Sequence, residues 1–222
     1  LTRADGILLL PVVALAPLIS LRSRDTQRST CLVIGCWLSI ILGYLIVMTP
    51  WFVRNLSVSG VLLSSVGTKT LWLTDYDDLF CYNCDLSLRS YLAWGWSNIL
   101  SSKLSALWIN FQHLLAENCL VFLLPFVLIG FYRMRRRTVF VVSAIYLSLL
   151  YLVHSLAFTF PGWRGSFFHS SGVMLPFLFA AGVEGLETVV GWAARRRRWR
   201  LRQAWAVFTT AAVVAAIALS TY

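Results

Sequence analysis

The stretch Arg195-Arg196-Arg197-Arg198-Trp199-Arg200-Leu201-Arg202 places six arginines within eight residues, between two apolar runs at 167–192 and 204–222. Each run approaches the ~20 residues that a helix needs to cross a hydrocarbon layer of ~30 Å. A basic hairpin between two such crossings stays on the cytoplasmic side of a membrane. Working outward, two more basic connections appear, 133–137 with four arginines and 22–28 with three. Together the three runs hold 13 of the 19 Lys and Arg residues. Apolar stretches at 6–21, 31–52, 114–132 and 139–160 complete a set of six. If each crosses once, all three basic runs share the cytoplasmic side. The connections 54–105 and 161–166 then face outward.

Composition agrees. The 222 residues are 59% hydrophobic, with a mean hydropathy of +0.74, far from the usual soluble range. The net charge of +10 lies in short runs at span ends. There it serves topology and anionic lipid rather than nucleic acid. The expected fold is therefore all-α, a polytopic bundle of about six transmembrane helices forming a single membrane-embedded domain over 1–222. The chain opens on Leu1-Thr2 without an initiator Met, and is expected to be the C-terminal part of a longer protein.

The long outward connection carries Leu88, Tyr91, Leu92, Trp96, Ile99, Leu100, Leu104 and Leu107 at three- and four-residue spacing. This predicts an amphipathic helix lying in the membrane interface, against the alternative of an ordinary helix packed on the loop. Five cysteines are too few and too scattered for a disulfide framework. Cys81 and Cys84 form a lone C-x-x-C, for which the sequence favours no special role over a disulfide.

Thr49-Pro50-Trp51-Phe52-Val53-Arg54-Asn55 closes the second span. Pro50 is expected to stop the helix and Trp51 to anchor it, leaving Arg54 at the outer face. There its guanidinium either grips a phosphate in bidentate fashion or snorkels to lipid headgroups. Pro161-Gly162-Trp163-Arg164-Gly165 reads as a tight outward turn. It leaves Arg164 as a phosphate ligand or a turn anchor, and His169 as a proton donor or a helix cap. Asp75, Asp77 and Asp78 form either a cation site or a solvated polar loop. Asp5 reads as a helix-start carboxylate, and His113 and Glu117 as a local pair. Glu184 and Glu187 are expected to pair with the nearby arginines, and His154 to be a core histidine. The segment from Gly60 to Gly67-Thr68-Lys69-Thr70 lacks phosphate-loop spacing. Asn55-Leu56-Ser57 is a formal glycosylation sequon too near the membrane to weigh.

Several of these segments resemble the bacterial membrane glycosyltransferases of the GT-C superfamily, among them relatives of the protein O-mannosyltransferases and of the lipid A aminoarabinose transferase. They are Pro50-Trp51 with Arg54-Asn55, the opening Leu1-Thr2-Arg3-Ala4-Asp5-Gly6, Thr70 to Asp78, and Arg164-Gly165-Ser166-Phe167-Phe168-His169-Ser170-Ser171. The resemblance spans most of the chain through short motifs. It implies transfer of a sugar from a polyprenyl-phosphate donor to an acceptor hydroxyl on protein, lipid or glycan, at the outer face of the bacterial cell (inner) membrane. It further implies cationic groups that stabilise the departing phosphate, sometimes with a divalent metal, and an acidic base upstream of this chain. Arg54, Arg164 and His169 become the donor-phosphate residues. The catalytic base is unassigned, no protein metal ligand is named, and nucleic acid is excluded as a partner. A transporter or flippase, or a non-catalytic membrane scaffold, fits the same spans without these roles.

Overall fold

The computed structural model describes residues 8–21, 26–60, 69–81 and 84–220. The first GT-C-like motif, with Arg3 and Asp5, falls outside the described residues, as do Arg22, Arg24, Gly67 and Thr68. The described chain is helical, with eight principal helices: α1 (Leu9–Leu21), α2 (Thr26–Ser59), α3 (Leu88–Ala93), α4 (Trp96–His113), α5 (Leu124–Arg133), α6 (Thr138–Leu156), α7 (Leu175–Arg197) and α8 (Leu201–Ser220). Four stretches are long and apolar enough to cross a membrane: Val33–Val58, Thr138–Leu156, Thr159–Arg197 and Leu201–Leu219.

The first and third expected spans take other forms. Helix α1 has 13 residues, which rise about 20 Å, less than the hydrocarbon thickness. The third stretch breaks in two. A π-helical turn at Leu114–Asn118 is followed by Leu120 and Val121 in the left-handed region (φ 48° and 60°), before α5 starts around Pro125. Apolar periodicity does not register such a break, because from Cys119 onward every residue remains hydrophobic or small.

Helix α2 also departs from expectation. It runs on through Pro50 to Ser59. Pro50 withholds a backbone donor from the Ile46 carbonyl, yet the helix continues, and the Thr49 hydroxyl donates to the neighbouring Leu45 carbonyl; prolines are tolerated within membrane helices in this way. Arg54 thus sits on a continuous helix. Ile34, Leu38, Ile41, Leu42, Ile46 and Val47 are all exposed on α2, an apolar surface that only lipid or another apolar partner can cover.

The chain forms two compact units. The first comprises residues 1–110 and 145–170. Within it the Trp37 indole donates to the Ala14 carbonyl, fastening α1 to α2. The α4 and α6 segments are joined by polar bonds: Tyr151 Oη donates to the Leu107 carbonyl at 2.8 Å, and Asn110 Nδ2 to Ser155 Oγ at 3.0 Å. The second unit, residues 111–144 and 171–222, is built on contact between α5 and α7. A Cβ added at Gly130 would overlap the Ala181 carbonyl, and one at Gly185 would overlap the Phe126 carbonyl. Small residues let these backbones touch, which is how helices associate where no hydrophobic effect separates side chain from lipid. Arg198 takes a left-handed conformation (φ 57°) and ends α7, and α8 returns from Leu201. Leu186, Val190, Ala194 and Ala204 form the core of that hairpin.

Candidate functional site

The first unit gathers most of the residues singled out above, around a loop that its own polar groups hold in shape. Asp78 Oδ2 accepts from the Thr74 amide, the Thr74 hydroxyl and the Asp75 amide at 3.0, 2.8 and 2.8 Å. Asp75 Oδ1 accepts from the Asp77 amide. Burial raises the Asp78 carboxyl, but these three donors outweigh it and leave it below the ordinary value. Two of the three carboxylates are therefore committed to the loop backbone. Among the described residues no group of three His, Cys, Asp or Glu side chains is arranged to hold a metal ion. Cys81 and Cys84 are joined by a disulfide, the reading the sequence did not favour. Ser87 then caps α3 in a reciprocal box with Ser90.

From this loop an aromatic wall extends to the segment after α6. Trp72 lies 6.0 Å from Tyr91, Tyr91 6.3 Å from Trp94, Trp94 6.2 Å from Phe160, and Phe160 5.1 Å from Trp163. Rings at such spacings and tilts attract edge to face. Lys103 of α4 enters the wall from one side. Its ammonium lies 5.5 Å from the centre of the Tyr91 ring and donates to Thr159 Oγ1 at 2.9 Å. The Thr159 hydroxyl in turn donates to the Ser155 carbonyl. Burial alone lowers the Lys103 pKa and raises that of Tyr91. No carboxylate pairs with Lys103 among the described residues.

Arg164 sits where the chain turns on two glycines. Gly162 lies so close to α6 that a Cβ there would overlap the His154 carbonyl, and Gly165 has φ +112°. The turn presents the Arg164 guanidinium 5.0 Å from the ring of Tyr76, a cation–π distance. Arg164 is exposed, as are His169, whose ring is 5.3 Å from that of Phe168, and Arg54 on α2. No hydrogen bond, ion pair or ring contact joins Arg54, Arg164 and His169 to one another among the described residues.

The secondary candidates divide. His154 is a core histidine, 1% exposed, with Nδ1 bonded to the Leu150 carbonyl one turn back in its own helix. In the second unit His113 Nδ1 and Glu117 Oε1 form the expected local pair at 2.8 Å. Glu184 and Glu187 have no ion-pair partner among the described residues, contrary to the expected pairing with the arginine run. Sequence reading passed over Lys103 and Thr159 and placed Tyr91 only in an apolar stripe. A signal for Lys103 was present, since α4 contains a lysine and no acidic residue to pair with it. In comparisons with known protein families, with curated proteins and with solved structures, nothing matches this chain.

Proposed function

We propose that the chain is the donor-binding portion of a membrane glycosyltransferase. It would move a sugar from a polyprenyl-phosphate carrier to an acceptor hydroxyl at the extracytoplasmic face of a bacterial cell membrane. The observation that carries this reading is the contact between Arg164 and Tyr76. These residues come from two separate GT-C-like segments, and the fold brings them face to face. The disulfide in the same loop suits an oxidising compartment, in keeping with an outward loop. Stacked against Tyr76, the guanidinium is held at one face, while its edge donors stay available to a phosphate. As the glycosidic bond breaks, the leaving phosphate gains charge, and prepositioned cations lower the barrier by meeting it there. Arg54 and His169 would add a second cation and a proton donor. No residue is assigned as the general base.

The test is sugar transfer by the full-length protein from a polyprenyl-phosphate donor, with Arg164→Ala and Arg54→Ala alongside. Loss of one oriented charge is expected to reduce kcat by about 10²–10³. Unchanged turnover in both variants would remove the proposal. A transporter is the second reading, favoured by two features: Glu184 and Glu187 on an apolar helix, without an ion-pair partner among the described residues, and the break before α5. Interrupted helices and intramembrane carboxylates are common at transport sites. Solute flux in vesicles without sugar transfer would establish it instead.

A further inference from the structure

Lys103 and Tyr91 present an unusual combination. The lysine is half-buried, has one hydrogen bond, to the neutral Thr159 hydroxyl, and faces no carboxylate among the described residues. A desolvated ammonium that lacks a counter-charge is costly, and proteins normally pair it. The tyrosine is 8% exposed, and its hydroxyl is buried without a hydrogen-bond partner among the described residues. Such orphaned groups are rare and call for an explanation. Both defects occur at one place, because the ammonium lies over the ring of that same tyrosine. One ligand cures both if it brings an anionic oxygen to the lysine and an acceptor to the phenol.

We infer that Lys103 and Tyr91 form a binding site for the phosphate of an amphiphilic or ring-bearing ester, with Trp72 and Trp94 flanking the non-ionic part. Phosphate satisfies the chemistry because it offers several acceptor oxygens to donors carried by two elements, α3 and α4. The neighbouring rings favour a ligand that also has an apolar or sugar face. On the outer side of α4, Trp96, Leu100, Leu104 and Trp108 form an exposed apolar stripe at four-residue spacing. This places the site on a helix suited to the membrane interface, where phosphate esters of lipids are concentrated. The site does not require that the protein transfer sugar, and neither Lys103 nor Tyr91 belongs to the GT-C-like segments.

The experiment is equilibrium binding of radiolabelled polyprenyl monophosphate to the full protein in maltoside micelles, which contain no phosphate of their own. Wild-type protein is expected to bind saturably. Lys103→Met should weaken binding at least about tenfold, Lys103→Arg should recover part of the loss, and Tyr91→Phe should weaken it a few-fold. Tyr91→Phe keeps every ring contact, so its thermal unfolding midpoint should stay at the wild-type value and exclude misfolding as the cause. Displacement by millimolar inorganic phosphate or a soluble sugar phosphate identifies a water-soluble ester as the ligand, and resistance to both identifies the lipid. Either outcome supports the site. Equal affinity of wild type, Lys103→Met and Tyr91→Phe would overturn it, as would equally tight binding of dephosphorylated polyprenol.

Discussion

Lys103 shows most directly how burial sets chemistry at a single residue. With no acidic partner, desolvation pulls its pKa below the usual lysine value. The group is charged below that lowered pKa and neutral above it. Anion binding at this residue should therefore fade, as pH rises, earlier than for an ordinary lysine. Lys103→Arg should remove the alkaline decline, because a guanidinium does not deprotonate in the accessible range. Binding measured from pH 7 to 10.5 checks both. Asp78 has the opposite sign. Its folded pKa lies below the ordinary value, so its contribution to stability is complete above the unfolded pKa and is lost as pH falls through the folded one. Asp78→Asn leaves the Thr74 and Asp75 amides with a weaker acceptor. The Thr74–Asp78 loop should then be cut faster by protease at pH 7, and the acid sensitivity of that cleavage should disappear.

At the level of elements, glycines permit close approach or a left-handed backbone. Gly130 and Gly185 set the separation of α5 and α7. Gly130→Ala or Gly185→Ala must push one backbone away from the other, at a cost of about 1–3 kcal/mol. This should appear as a lowered unfolding midpoint in detergent. Gly165 controls the direction of Arg164. With φ at +112° and open space where a Cβ would go, Gly165→Ala is resisted by backbone strain of about 1–2 kcal/mol. If Arg164 has the proposed role, this variant should lose turnover well beyond what its stability loss explains. Helix α2 shows the reverse case, in which a feature expected to disrupt does not. Pro50 leaves the Ile46 carbonyl without its amide donor but does not end the helix, so Pro50→Ala should restore that bond and raise the unfolding midpoint in detergent, while Ser57→Ala, near the helix end, should leave it unchanged.

For the whole molecule the decisive quantity is which side each loop occupies. The three arginine runs predict that 22–28, 133–137 and 195–202 are cytoplasmic. Intact cells treated with a membrane-impermeant thiol reagent should leave an Arg136→Cys variant unlabelled. Cys81 and Cys84 should become reactive from outside once an impermeant reductant opens their disulfide. Labelling of position 136 from outside would reverse the topology and remove the proposed function with it.

Much of this was legible in the residue string. Apolar run length is a one-dimensional property, and hydrocarbon thickness translates it directly into helices. The helical character, the hairpin at Arg195–Arg202, the core placement of His154 and the His113–Glu117 pair all follow from such local rules. What required the tertiary structure were features created by residues distant in the chain. Lys103 became a candidate only when Tyr91 and Thr159, 12 and 56 positions away, closed around it. Tyr76 and Arg164 likewise met only through folding. The break at Leu120 and Val121 escaped detection because backbone dihedral angles leave no mark on hydropathy. Partnership is a property of distance in space, and an ammonium's missing counter-charge becomes visible only when all its neighbours are in place.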